Sequence, residues 1–337
     1  MRLQIEVLTR LCAEVWTVGG NLTDARFGRL RQLCDESGDR RSLAVGIGGM
    51  IMSLTGQHRH REAQALCSEL LSLIESLDDP TVTGGLLLTV GHAKSEVGEL
   101  REALRLAQAV IDLIGGDLTR GSVVFESPLA TATRRRGLYR MCLGVPGWRR
   151  DADIAVALAR SLHASELVNA LLYKYILSIP QGARSVDPTS LDETSEALSI
   201  AEQIGDEYLL TFARLTRGLV LVYQHDAGET VDYEDGIGLL RQAQATASRR
   251  GYAINATALL NPAIARHRDK HGDLDGAIEL ARRSIAVMEA PGEVLSRELP
   301  PPSWSKRCCP AATPEIGRKP RRPPLAWRRC PSTTASC

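Results

Sequence analysis

Apolar residues recur every three or four positions along most of the chain, which is the spacing of one face of an α-helix. Residues 272–290 show this stripe clearly, and Asp273 and Asp275 lie near its start, where the helix dipole favours negative charge. The apolar members of the stripe are Leu274, Ala277, Ile278, Ala281, Ile285 and Met288. Residues 97–111 repeat the pattern. The spacing therefore predicts an all-α chain with negligible β-structure.

Similar segments also recur at an offset of 40 residues. The copies are 61–66 with 101–106, then 195–198 with 235–240 and 275–280, and a looser copy at 153–158. Each copy is predicted to open a helix, and a second helix is predicted to precede it, as at 207–223 and 252–270. Such helix pairs bury their apolar faces only by stacking, so we expect a tetratricopeptide-like α-solenoid of about six antiparallel helix pairs over residues 1–299.

Glycine residues mark the predicted joints and raise one functional alternative. Gly91, Gly98, Gly205 and Gly272 are expected at turns between helices. Four Gly-Gly pairs, at 19–20, 48–49, 84–85 and 115–116, could bind phosphate groups through their backbone, as glycine-rich loops do. We expect them in loops or at close helix contacts instead, because the chain has no G-x-x-x-x-G-K-[ST] segment and no strand that leads into G-x-G-x-x-G. No cofactor is therefore predicted.

Charge is divided unevenly along the chain, although the total is only +1. Residues 300–337 hold eight Lys and Arg against one acid, together with nine of the 16 Pro, and have no helical period. We expect this segment to be a disordered tail, because it has too little apolar surface to offset the entropy of ordering. Its composition also suggests a hypothesis that residues after about 300 are translated in a shifted frame. The remaining body is acidic, which argues against a specific nucleic-acid partner.

Several other classes of protein are also excluded at this stage. The chain contains no run of 18 or more apolar residues, so no membrane span is expected. Glu6 and Glu14 interrupt the apolar residues near the N-terminus, where a signal peptide needs an uninterrupted apolar core. We therefore expect a cytoplasmic protein. His267 and His271 have the i, i+4 spacing of a zinc site, but without the H-E-x-x-H pattern a polar helix end is favoured. The cysteines of the body form no C-x-x-C, so no metal site is predicted.

One basic segment lies where the repeat is irregular, between residues 101 and 153. Its candidate residues for contact with a phosphate group or an acidic partner are Arg134, Arg135, Arg136, Arg140, Trp148, Arg149 and Arg150. The alternative is a solvated helix face whose arginines pair with acids of adjoining repeats. Among the candidates we favour this segment as a partner or ligand surface, because irregular repeats often shape the concave face of a solenoid.

Residues 142–151 carry the most specific pattern in the chain, C-L-G-x-P-G-W-R-x-D. This stretch resembles the repeat arm of large actinobacterial signalling regulators, and further stretches look like the same family. Those stretches are 11–14, 41–46, 58–63, 127–130 and 272–281. Regulators of this kind join a class III nucleotide-cyclase-like domain, a signal-transduction ATPase domain and a tetratricopeptide-like arm, and many end in a LuxR-type helix-turn-helix.

The chain departs from that architecture in a way that decides what the resemblance implies. It lacks a Walker lysine loop, paired metal-binding aspartates in a cyclase-like setting and a terminal helix-turn-helix. No enzymatic residue of the family therefore has a position here. The resemblance implies a non-catalytic interaction or sensor module, with a protein partner or small effector on its concave face. The alternatives are a truncated remnant with no activity of its own, and an enzyme with an unrecognised site in the groove.

Overall fold

The computed structural model describes residues 1–15, 20, 22–226, 233–250, 261–265, 268–269 and 271–289. Regular secondary structure in these ranges is helical throughout and includes no strand, which confirms the all-α prediction. The helices are α1 (Arg2–Glu14), α2 (Asp24–Ser37), α3 (Arg40–Gly56), α4 (His60–Leu77), α5 (Pro80–Glu96), α6 (Leu100–Ile114), α7 (Pro128–Cys142), α8 (Trp148–Ala159), α9 (Ala164–Tyr175), α10 (Pro188–Ile204), α11 (Glu207–Asp226), α12 (Tyr233–Arg250) and α13 (Leu274–Glu289). A further helical segment covers 261–265.

Contacts between helices are of two kinds, between consecutive helices and between alternate helices. Each of α1 to α11 contacts the helix that follows it, and α9 also contacts α11. The odd-numbered helices contact one another in series, from α1 through α3, α5, α7 and α9 to α11. These serial contacts make the odd-numbered helices a shared inner row. The assembly of the pairs into a curved solenoid stays a prediction.

Helix α3 shows how closely the inner row is packed. Residues 43–55 are buried on every side of the helix, so no face of α3 over this length meets solvent. A Cβ atom on Gly49 would lie 1.9 Å from the carbonyl oxygen of Cys12 in α1. A residue without a side chain is therefore required at this crossing. Gly48 and Gly49 serve helix packing, as the sequence predicted for the Gly-Gly pairs.

The 40-residue register matches the structure at some copies and not at others. Ala63 and Ala103 both lie in the first turns of their helices and are fully buried, at 0% exposure. The prediction that every copy opens a helix is wrong for 153–158 and 195–198, which lie inside α8 and α10. Helix α10 begins earlier, because Asp187 caps it through the backbone N–H of Ser190.

The predicted joints are confirmed at three of the four glycines. Gly98, Gly205 and Gly272 lie between helices and have φ angles of 86°, 71° and 82°, the left-handed conformation that glycine adopts at low cost. Gly91 instead lies inside α5, where a Cβ atom would meet the Cβ of Leu106 at 3.6 Å. Its role is close packing of α5 on α6 rather than a turn.

Other predictions fall partly or wholly outside the described residues. The tail at 300–337, its boundary with residues 1–299, His267 and most of 252–270 are among them. The predicted helix at 207–223 is confirmed as α11, which runs three residues further. None of the described helices combines the length and apolar character needed to cross a membrane.

Candidate interaction site

Two of the predicted surface arginines lie in the interior. Arg134 and Arg135 of α7 are 8% and 3% exposed. The Nη1 of Arg134 donates a hydrogen bond to Oε2 of Glu166 in α9, and the Nη1 of Arg135 donates to the carbonyl oxygen of Leu88 in α5 at 2.7 Å. The prediction that these two arginines form a partner surface is therefore corrected. Their side chains cross the inner row and tie α7 to α5 and α9.

A buried carboxylate accounts for two more of the predicted arginines. Asp151 of α8 has a side chain only 3% exposed, and it accepts hydrogen bonds from Nε and Nη2 of Arg136 at 3.0 and 2.6 Å. The Nη1 of Arg140 donates to the same carboxylate at 2.7 Å. Arg136 also donates to Oε1 of Gln108 in α6 at 2.9 Å. One buried acid thus holds two arginines of α7 against α8.

The polar interior continues from α9 into α10. Lys174 has a side chain 6% exposed and lies 2.9 Å from Oε2 of Glu193, and 3.1 Å from the carboxylate of Asp153. The hydroxyl of Tyr175 donates to the same oxygen of Glu193 at 2.5 Å. Burial and the neighbouring carboxylate both raise the pKa of Tyr175, which keeps the hydroxyl a donor.

A histidine of α5 borders the same interior. Nδ1 of His92 lies 3.5 Å from Oε1 of Glu96, one helical turn on. Burial lowers the pKa of His92 well below 6.5, and the positive charge of Arg135 lowers it further. The imidazole is therefore neutral at physiological pH. Tyr139 of α7 donates to Oγ of Ser95 at 3.3 Å, and burial raises the pKa of Tyr139 to about 12.

The remaining predicted residues lie on the outside, at the start of α8. We define the Trp148 surface as Trp148, Arg149, Arg150 and Arg184. The guanidinium carbon of Arg149 lies 4.3 Å from the centre of the Trp148 ring, and that of Arg184 lies 5.7 Å from it. Arg149 and Arg150 are exposed, and Trp148 and Arg184 are half-buried. Nη2 of Arg149 donates to the carbonyl oxygen of Ala183 at 2.5 Å, which joins α8 to the loop before α10.

Ion pairing distinguishes these outer arginines from three of the inner ones. Arg134, Arg136 and Arg140 each contact a carboxylate. No ion pair joins Arg149, Arg150 or Arg184 to any residue in the described part of the chain. Arg184 was missed by the sequence analysis, because nothing in its surroundings in the chain distinguishes it from an ordinary loop arginine.

A small pocket lies on the inner side of Trp148. Arg134 and Lys174 line it together with the indole, and it has room for about one water molecule. Sites for small organic ligands are typically about 300–1,000 Å³. This pocket is therefore too small for the effector that the sequence analysis named as one kind of partner.

Metal-binding side chains do not converge in the described residues. No group of three or more His, Cys, Asp or Glu with metal-binding geometry occurs there. Burial raises the pKa of Cys12 to about 12 and those of Cys34 and Cys67 to about 11, so these thiols stay protonated.

Comparison with known proteins gives no relative from which a function could be inferred. No protein-family model matches the chain, and no curated protein matches its sequence.

Proposed function

We propose that the chain is a non-catalytic helical-repeat module that binds a protein partner, similar to the C-terminal arm of a signalling ATPase or nucleotide-cyclase-linked transcriptional regulator. One observation carries the proposal. The irregular segment contains an internal set of arginines, of which Arg134, Arg136 and Arg140 pair with buried acids. An outer set, at the Trp148 surface, forms no ion pair with a described residue.

The two sets of arginines differ in the energetic cost of their burial and in their availability to another molecule. A buried arginine is tolerated only with a partner, and Glu166 and Asp151 supply one. An exposed arginine needs no partner to fold and is free to meet another molecule. Trp and Arg are also the residues that most often dominate protein-binding energy. A rigid polar interior below a Trp-Arg surface is therefore a suitable platform for recognition.

In this proposal the chain transmits a signal by binding, as the arm of a cytoplasmic regulator does. A partner that binds one arrangement of the helix row more tightly than another shifts the balance between them. The alternative of a truncated remnant predicts an unfinished apolar face at the C-terminal end of the body. Side chains beyond residue 283 lie outside the described part of the chain.

The test uses the signal-transduction ATPase domain encoded nearest to the gene for this chain. The purified domain is titrated with the full chain by calorimetry, and its ATP hydrolysis is measured with and without the chain. We expect saturable binding and a changed hydrolysis rate. A remnant would give neither, and hydrolysis of ATP by the chain alone would identify an enzyme.

A further inference from the structure

We propose that the Trp148 surface docks an acidic segment of a partner protein, rich in Asp and Glu. The inference rests on the proposed function and gives the partner its chemistry. Four observations support it: unpaired positive charge, a helix start without a side-chain cap, an arginine stacked on an aromatic ring, and a neighbouring pocket that holds only about one water molecule.

Unpaired positive charge is concentrated around one indole ring. The guanidinium groups of Arg149 and Arg184 both lie within 6 Å of the Trp148 ring centre, at 4.3 and 5.7 Å. Nε and Nη2 of Arg184 are enclosed and have no hydrogen-bond partner. A carboxylate that reached this surface would gain charge-assisted hydrogen bonds from guanidinium groups that have no acidic partner among the described residues.

The start of α8 adds to the same positive field. The N-cap residue is Gly147, with φ of 94° and no side chain to accept from the first turn. Arg149 and Arg150 occupy this turn, where the helix dipole disfavours cations. Asp151 lies in the turn as well, but its carboxylate is already paired with Arg136 and Arg140 of α7. The arrangement costs stability and is typical of a site kept for an anionic partner.

The shape of the surface favours a protein segment over a small anion. The pocket beside Trp148 holds about one water molecule, so the charges act from an open surface rather than a closed cradle. Stacking fixes Arg149 on the ring, and its bond to the carbonyl oxygen of Ala183 fixes it further. Arginines spread around a half-buried aromatic ring match the spaced carboxylates of a peptide better than one phosphate group.

The experiment measures binding of a short fluorescein-labelled peptide of alternating Glu and Ala to the full chain by fluorescence anisotropy. A peptide with Gln in place of Glu is the control for charge. The variant R149E/R150E reverses the charge of the two exposed arginines of the Trp148 surface, and R26E/R29E reverses two exposed arginines in α2 as the matched control. Basic residues at 300–337 contribute the same background to every variant. Circular dichroism confirms that each variant is folded.

We expect the acidic peptide to bind, and R149E/R150E to weaken binding about tenfold or more while R26E/R29E leaves it within about twofold. Equal losses in both variants, or no loss in either, would overturn the proposal. Displacement of the peptide by micromolar inorganic phosphate would also overturn it, in favour of a phosphate site. Failure of the ATPase test alone would remove the parent architecture and leave this surface intact.

Discussion

Arg134 and Glu166 form an ion pair between α7 and α9 in which both side chains are only 8% exposed. Removal of one partner leaves a buried charge without compensation, which typically costs about 3–5 kcal/mol. We expect Glu166→Ala to lower the free energy of unfolding by about this amount in urea denaturation. The double variant R134M/E166L should recover most of the loss, because it removes both charges at similar volume.

The exposed pair Arg10–Glu14 is the control for that comparison. Its side chains are 79% and 62% exposed, and surface pairs of this kind contribute about 0–1 kcal/mol. Arg10→Ala should therefore change stability little. A loss at Arg10 as large as that at Glu166 would contradict a structural role specific to the buried pair.

Asp151 should be the most sensitive acid of α8. Because its carboxylate accepts from both Arg136 and Arg140, Asp151→Asn leaves two arginines without their charged partner. We expect a loss of about 3 kcal/mol or more in the free energy of unfolding. Asp35→Asn in α2 is the control, since that residue is exposed. Similar losses for both variants would show that burial of Asp151 is unimportant.

Gly49 tests the contact between α1 and α3. Gly49→Ala places a methyl group against the backbone of Cys12, which has no flexible end to move aside. We expect destabilisation of about 1–3 kcal/mol, measured by thermal or urea unfolding. Gly28→Ala in α2 meets no atom within 4 Å and should stabilise the chain by about 0.5–1 kcal/mol. A stabilising effect at Gly49 would contradict the close approach.

His92 makes stability depend on pH in a defined direction. Its folded pKa is well below 6.5, so the unfolded chain binds a proton more readily than the folded chain. The free energy of unfolding should therefore decrease as the pH falls from 7 to 5, with a contribution of up to about 1.4 kcal/mol per pH unit. His92→Gln should flatten this part of the profile. Identical profiles for the two proteins would exclude His92 as the source.

The fold could be predicted from the sequence because local signals coincide with the final structure. Gly98, Gly205 and Gly272 end helical patterns and adopt the turn conformations that their position suggests. Gly91 lies in a similar local sequence, but it allows two helices to pack closely, because its neighbour Leu106 lies on another helix. The difference between a turn glycine and a packing glycine depends on that tertiary contact.

Only part of the candidate site could be predicted from the sequence. Arg134, Arg135 and Arg136 are adjacent in sequence and point about 100° apart around α7, so each meets a different neighbour. The partner of Arg134 lies 32 residues later and that of Arg135 lies 47 residues earlier. Composition alone could not separate these internal arginines from Arg149. A lone Glu166 in the apolar run of α9 was the available signal for a buried pair.

Amide hydrogen exchange of the full chain, with and without the acidic peptide, tests the central claim most directly. The claim is that the outer arginines recognise a partner while the inner arginines hold the helices together. We predict slower exchange on peptide addition at residues 148–151 and 181–186, with no change at 134–140. Protection confined to other helices, or loss of protection at 134–140 on binding, would contradict the account.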